Sequence, residues 1–222
     1  MRIRRKKHLK ERLDAVSEML IVPLRDIVNV KEAVKDKKYI NYTEQFGNDY
    51  PVSLEIGCGK GGFIKDKALA VPNENFIAVE LLENIIVMAA ELAKKSGVTN
   101  VRYMNSGAEY LPRYIAPQTI KDIYLNFSPP FPGDAYENRR LTCDRRIVEY
   151  KEFLDVGGHV YQKTDDKEFF LYSLEQFKKH GFIVEDVSQK IQNNQIDNIK
   201  TEYENKFTQL GLPIYALIAT KQ

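Results

Sequence analysis

From Pro51 onward, short apolar runs alternate with longer segments whose apolar residues recur at helical spacing. That rhythm predicts parallel strands joined by crossover helices. The expected strands are "VSLEI" (52–56), "NFIAVE" (75–80), "NVRYM" (100–104), "DIYLNF" (122–127), "HVYQKT" (159–164), "FIVEDVS" (182–188) and "IYALIAT" (214–220). Between them lie four helical patterns: "FIKDKALAV", "ENIIVMAAELAKKSG", "CDRRIVEYKEFLDVGG" and "KEFFLYSLEQFKKHG". The last three run into Gly97, Gly157 and Gly181, which the pattern places as helix C-caps. The stretch "QKIQNNQIDNIKTEYENKFTQLGLP" shows no crossover helix, so the final strand is expected to run antiparallel. The predicted class is α/β, a doubly wound, mostly parallel seven-stranded sheet with an antiparallel last strand. Upstream, "LDAVSEMLIVPL" and the polar run to "NYTEQFGNDYP" read as an extension with little fixed structure. The expected division is therefore an arm and extension over 1–50 and one folded domain over 51–222.

Composition fits one core. The chain has 222 residues, 43% of them hydrophobic and 11% aromatic, enough for one substantial domain with an appendage. No stretch approaches the ~18 uninterrupted apolar residues of a membrane span, and no apolar segment of a signal peptide follows the basic start. A soluble, cytoplasmic protein is expected. Cys58 and Cys143 lack the spacing of a metal site or disulfide framework, so both are expected reduced and no metal is expected.

The formal net charge of +2 conceals an uneven distribution, because "MRIRRKKHLKER" is crowded with Arg and Lys. Such an arm either holds phosphates, releasing counterions as it does so, or is a solvated terminus.

The glycine-rich "LEIGCGKGG" follows the first expected strand and opens a helix, the context in which such a turn binds a nucleotide-like ligand. It fits two templates, the dinucleotide fingerprint and the acidic-x-Gly-x-Gly-x-Gly pattern of S-adenosylmethionine-dependent enzymes. Glu55, two residues before Gly57, favours the second, since a carboxylate there suits a cationic methionine moiety and would repel a pyrophosphate. Gly57, Gly59 and Gly61 allow the sharp turn and let a ligand approach the backbone, and Glu80 at the second strand's end is placed to accept both ribose hydroxyls of an adenosine. Asn105, Ser106 and Gly107, after the third strand, are placed beside the adenine. Each also has a plainer reading: the glycines as a turn only, and Glu80 as an acid at a helix N-terminus.

The fourth strand ends in "LNFSPPFPGDAYENRRL". Its Ser128-Pro129-Pro130-Phe131 resembles the short motif of DNA amine methyltransferases, in which acceptors and an aromatic face hold an extruded base. The same four residues also make a rigid loop. The longer stretch resembles the Leu-Asn-Phe-Ser-Asp-Pro-Trp-Pro and Arg-Arg-Leu segment of bacterial tRNA (guanine-N7)-methyltransferases. "LEIGCGKGGFI", "FIAVELLENIIVMAAE", "YQKTDDKEFFLYSLEQF", "IKTEYENKFTQLGLPIYAL" and the basic "MRIRRKK" resemble that family's segments in the same order.

The resemblance implies a Rossmann-like catalytic domain over 51–222, S-adenosylmethionine as cofactor and tRNA as partner, in a monomer or homodimer. It assigns Glu55, Gly57, Gly59, Glu80, Ser106, Gly107 and Asn126 to the cofactor. Asp165, Thr201, Glu202, Tyr203 and Glu204 are assigned to the tRNA nucleotide, and Arg139 and Arg140 to phosphates. The chain departs from the family where its active-site acid is expected, at Pro129; Phe131 replaces its Trp, and Gly107 stands where an acid is expected after the third strand. Asp134 and Glu137 are the candidate substitutes. An exocyclic-amine methyltransferase, or an RNA-binding protein of this fold that has lost turnover at Pro129, are the alternatives.

Overall fold

The computed structural model describes residues 7–21, 29–193, 195 and 198–222. The backbone forms two compact units, one ending at Ala116 and one running from Pro117 to Gln222.

The first unit begins with helix α1 (Leu9–Asp14), a 3-10 turn over Ser17–Met19, and short helices α2 (Val30–Ala33) and α3 (Tyr42–Phe46). Asn29 and Asn41 cap the latter two by accepting the backbone N–H of Lys31 and Glu44. Strand β1 (Val52–Ile56) leads to α4 (Gly62–Ala70), β2 (Asn75–Glu80), α5 (Glu83–Lys95), β3 (Val101–Asn105) and α6 (Leu111–Tyr114). The order is β3-β2-β1, all parallel. Every residue of β1 is buried, as are the first five of β2, which fits strands covered on both faces.

The extension is more ordered than its polarity predicts. Leu9, Leu13, Val16, Met19 and Ala33 are buried. Arg12 donates twice to Glu91 of α5, at 2.6 and 2.5 Å, and Lys94 donates to the Ala15 carbonyl and to Glu18, both at 2.6 Å. Leu20 bridges Tyr103 of β3 in parallel, and the N–H groups of Lys38 and Ile40 donate to the carbonyls of Arg113 and Tyr114. Its few apolar residues and backbone groups dock on the unit's own sheet and helices, a tertiary effect that local pattern does not carry. Residues 1–6 of the basic arm lie outside the described residues, while Arg12 is committed to Glu91.

The second unit contains β4 (Ile120–Asn126), α7 (Asp144–Phe153), β5 (Leu154–Thr164), α8 (Lys167–Lys179), β6 (Ile183–Asp186), α9 (Ser188–Gln192), α10 (Glu202–Gln209) and β7 (Tyr215–Thr220). Its order is β4-β5-β7-β6; β4 and β5 are parallel, and β7 runs antiparallel between β5 and β6, as expected for the last strand.

Two expectations are corrected here. Gly157 is not a helix cap: α7 ends at Phe153, and Gly157 (φ 81°) sits inside β5, where the register against β4 jumps from Ile120↔Leu154 to Asp122↔His159. The extra residues form a bulge. At Gly158 a Cβ would lie 2.6 Å from the Lys121 carbonyl oxygen, so the bulge needs glycine for space as well. Gly97 and Gly181 do follow helix ends with φ of 70° and 77°. The N–H groups of Val98 and Phe182 donate to the carbonyls of Ala93 and Phe177, closing Schellman-type ends. The second correction is that the segment before β7 does contain helices, α9 and α10. Residues 194, 196 and 197 of that segment are outside the described set.

Candidate active site

In the first unit, the glycine turn follows β1. Gly57, Gly59 and Gly61 have φ of 83°, 55° and 79°, a region that disfavours residues with a Cβ. The three are not equivalent. A Cβ on Gly57 or Gly59 would meet nothing within 4 Å, whereas one on Gly61 would lie 2.7 Å from Ala89 Cβ. Gly61 thus serves the packing of α4 on α5, while Gly57 and Gly59 border open space that a ligand can enter.

The N–H groups of Gly57 and Cys58 both donate to the Val79 carbonyl, at 2.8 and 3.0 Å, tying the turn to the end of β2. The next residue of β2, Glu80, closes over it. Its Oε2 accepts the Gly59 N–H at 3.2 Å and its Oε1 accepts the Leu82 N–H at 3.0 Å. Burial pushes the Glu80 carboxyl above the usual range, opposed in part by the backbone N–H groups of Leu82, Gly59 and Leu81. Each oxygen keeps a lone pair for a further donor, so the carboxylate is held ready for two hydroxyl groups.

Glu55 is buried within β1, 2% exposed. Burial first, and then the charges of Glu55 and Glu80, push the Cys58 thiol up, which disfavours the thiolate that a nucleophilic cysteine needs. Burial likewise raises Tyr103, with Cys58 and Glu55 adding to the effect. Asn105 pairs with Glu80 in the β2–β3 ladder, and its Nδ2 donates to the Glu80 carbonyl at 2.9 Å. Its buried Oδ1 has no hydrogen-bond partner among the described residues. Ser106 is buried and its Oγ donates to the Gly107 carbonyl at 3.2 Å. Glu55, Gly57, Gly59, Glu80, Ser106 and Gly107 therefore gather at the C-terminal ends of three adjacent parallel strands, where open α/β sheets bind ligands. Open space at Gly57 and Gly59, a clasped carboxylate and the orphaned Asn105 oxygen fit a ligand rich in hydroxyl and amino groups, as S-adenosylmethionine is.

In the second unit, Asn126 ends β4 in register with Lys163 of β5. The loop that follows is strained at two aromatic residues, Phe127 (φ 50°) and Phe131 (φ 44°), a conformation that bulky side chains rarely adopt and that clusters at functional sites. Between them, Ser128 is buried, with no partner for its Oγ among the described residues, and Pro129 is exposed. Arg140 holds the loop: its Nε donates to the carbonyls of Pro130 (3.1 Å) and Phe131 (3.3 Å), and its Nη2 to that of Phe131 (3.2 Å). The guanidinium lies 4.3 Å from the Tyr172 ring centroid, and the Tyr172 hydroxyl donates to Glu137 Oε1 at 2.8 Å. One chain of contacts thus fixes both the loop backbone and Glu137. Asp134 is exposed, and Arg139 lies over the Phe131 ring at 4.5 Å.

Past β5, Asp165 is exposed while Asp166 caps α8 by accepting the Phe169 N–H. The run 201–204 divides. Thr201 is buried and caps α10, its Oγ1 accepting the Glu204 N–H at 2.9 Å. Glu204, 1% exposed, accepts from Lys163 Nζ at 2.8 Å and from Asn198. Glu202 and Tyr203 face outward. The Tyr203 ring stacks on Phe127 at 5.8 Å, and Phe207 joins both. Asn126, Asp165 and Tyr203 are thus linked through β5 and the Phe127 ring, whereas Thr201 and Glu204 point into the unit as its fastening. Phe127, Phe207 and Lys163 were not singled out from sequence; the i, i+4 spacing of Tyr203 and Phe207 was the available signal for the aromatic group.

Residues 49–217 match the family model described as "Putative methyltransferase". A tRNA (guanine-N(7)-)-methyltransferase of Bacillus subtilis (strain 168) is 42% identical over 171 residues, 77% of this chain and 80% of that protein. One of Clostridium tetani (strain Massachusetts / E88) is 36% identical over 220 residues, 99% of each chain. Among solved structures, the 16S rRNA methyltransferase KamB aligns with a TM-score of 0.60 at 13% identity, over 84% of this chain and 95% of that one. A methyltransferase from Pyrococcus furiosus aligns with 0.54 at 20%, over 84% and 88%. These likenesses establish the Rossmann-like methyltransferase fold, with its mostly parallel seven-stranded sheet and antiparallel last strand.

Proposed function

The chain belongs to the tRNA (guanine-N7)-methyltransferase family, and from that premise we propose that it methylates guanine N7 in tRNA with S-adenosylmethionine as donor. The observation that carries the cofactor half is the Glu80 carboxylate, clasped by the Gly59 and Leu82 N–H groups above an open glycine turn. Family membership supplies the substrate.

When bound, S-adenosylmethionine supplies a methyl group activated by its sulfonium. Glu80 would take the ribose hydroxyls, and the space at Gly57 and Gly59 the methionine portion, with the buried Glu55 charge compensating its cationic groups. Ser106 and Gly107 complete the proposed cofactor set of the first unit. For the nucleotide, Tyr203 offers an exposed ring backed by Phe127, a face suited to stacking a base. Asp165 and Glu202 offer acceptors for guanine N1 and N2 hydrogens, and Arg139 a cation for phosphate. Thr201 and Glu204 act through α10, and Arg140 through the loop, as positioning residues.

Guanine N7 carries an in-plane lone pair and no proton, so the transfer needs alignment and exclusion of water more than a general base. Pro129 at the family acid's position is compatible with that chemistry, because an acid there would orient the base without taking a proton from N7. Glu137, anchored by Tyr172, is better fixed for that orienting role than the exposed Asp134. tRNA is the partner, and a cytoplasmic monomer or homodimer the expected setting. No helix among the described residues is long and apolar enough to cross a membrane.

The test is incubation of unmodified tRNA with labelled donor, followed by digestion and identification of the labelled nucleoside. 7-Methylguanosine is the expected product. Label on an exocyclic amine would transfer the reading to the Ser128–Phe131 motif and its orphaned hydroxyl. Salt-sensitive tRNA binding without label would make the chain a binding protein.

A further inference from the structure

Gly107 has ordinary torsions, φ −77° and ψ 150°, which any residue adopts. Conformation therefore gives no reason for glycine there, but space does. A Cβ on Gly107 would lie 2.5 Å from Glu109 Oε1 and 2.6 Å from both its Cδ and Oε2. Glu109, in the 3-10 turn Ala108–Tyr110, folds its carboxylate back into the volume that a side chain at position 107 would fill. The glycine and the glutamate form one device, in which the missing side chain at 107 is what lets the carboxylate of 109 reach the end of β3.

The location is informative. Asn105, two residues earlier, pairs with Glu80 in the ladder and donates to its carbonyl. Running across the unit, the ends of β1, β2 and β3 present the open glycine turn, the clasped Glu80 and then Gly107 with Glu109. If Glu80 takes the ribose hydroxyls, a ligand lying across these ends brings its base to the third. An ionised carboxylate only accepts hydrogen bonds, so it favours a base edge that carries an amino group over one that carries a carbonyl.

We propose that Glu109 occupies the place of the acid that residue 107 lacks, and that it selects the adenine of the cofactor by accepting a hydrogen bond from its exocyclic amine. This rests on the cofactor reading above. The experiment is calorimetric titration of the wild-type chain and Glu109→Ala with S-adenosylhomocysteine and with its 6-oxo counterpart, S-inosylhomocysteine. Wild type is expected to prefer the adenosyl ligand. In Glu109→Ala the adenosyl ligand should weaken by tenfold or more while the inosyl ligand stays within about twofold, so that the preference disappears. A variant that keeps the wild-type preference, or that weakens both ligands equally, overturns the proposal. A wild-type chain that binds neither ligand would instead overturn the cofactor reading beneath it. Thermal melting checks that each variant is folded. Gly107→Asp placed in the Glu109→Ala background puts a carboxylate back in the same volume and should restore the preference; a folded double variant without it counts against the shared position.

Discussion

Replacing Glu80 with alanine separates the proposed cofactor role from a purely structural one. Each carboxylate oxygen already accepts one backbone N–H, from Gly59 at 3.2 Å and from Leu82 at 3.0 Å, and retains a lone pair for a ligand hydroxyl. A hydrogen bond to a charged group contributes about 1.5–3 kcal/mol. Two at the lower end give about 3 kcal/mol, roughly a hundredfold in Kd at about 1.4 kcal/mol per decade. The effect on folding should be far smaller. Burial raises the Glu80 carboxyl, so its charge costs stability above the raised pKa, and that cost vanishes as pH falls through it. Removing the carboxylate removes the cost along with the two N–H contacts, leaving a net change below about 1 kcal/mol, or a Tm shift below roughly 4 °C for a chain of this length. Acidification carries a second signature. Ribose hydroxyls favour the ionised form, so cofactor binding should release a proton and lose affinity as pH falls through a value above the ordinary 4.5 of a glutamate. Titrations with S-adenosylhomocysteine in buffers of different ionisation enthalpy, alongside thermal melts, read all of this. A folded Glu80→Ala chain that binds within threefold of wild type would refute the reasoning, and so would a loss of affinity that merely follows collapse of the fold.

Other substitutions probe the remaining assignments. Gly61→Ala places a Cβ 2.7 Å from that of Ala89 and should destabilise the fold by more than the ~1–2 kcal/mol of its φ alone, whereas Gly59→Ala meets no neighbour and should cost only that φ term while also weakening cofactor binding; chemical denaturation and calorimetry compare the two. Glu204→Gln leaves the Lys163 ammonium, on a side chain only 11% exposed, without its buried carboxylate and should cost about 3 kcal/mol of stability, while a normal melting curve with a raised KM for tRNA would return Glu204 to direct substrate contact. Arg140→Ala frees the Pro130 and Phe131 carbonyls and should lower kcat while leaving cofactor Kd unchanged, with loop proteolysis as an independent readout.

Much of the frame was legible because parallel strands buried on both faces read as continuous apolar runs. The expected bounds of β1 and β2 agree with the structure to the residue, and the bare glycine-and-acid pattern of Glu55, Gly57, Gly59 and Glu80 comes together at one end of the first unit. β5 begins five residues before its expected start, because a bulge with two glycines disguises its first half. The α10 helix is charged and short, and its apolar side is only Tyr203, Phe207 and what they stack on. Its start was nonetheless written in the chain, since Thr201 with Glu204 three residues on is a capping-box pattern. The roles of residues 201–204 and of Arg140 were harder, because inward and outward members of one motif look alike until burial distinguishes them. Glu109 could not be read at all from Gly107, as the pairing exists only through the fold of a 3-10 turn.

Changing the acceptor atom tests methyl transfer to guanine N7 in tRNA. A tRNA transcribed with 7-deazaguanosine in place of guanosine keeps its Watson–Crick edges and exocyclic amines but carries carbon where N7 was. With labelled S-adenosylmethionine, the ordinary transcript should accept label and the 7-deaza transcript none, although both are bound with similar salt dependence. Equal labelling of the two transcripts would contradict the account, because the methyl group would then be going to another atom.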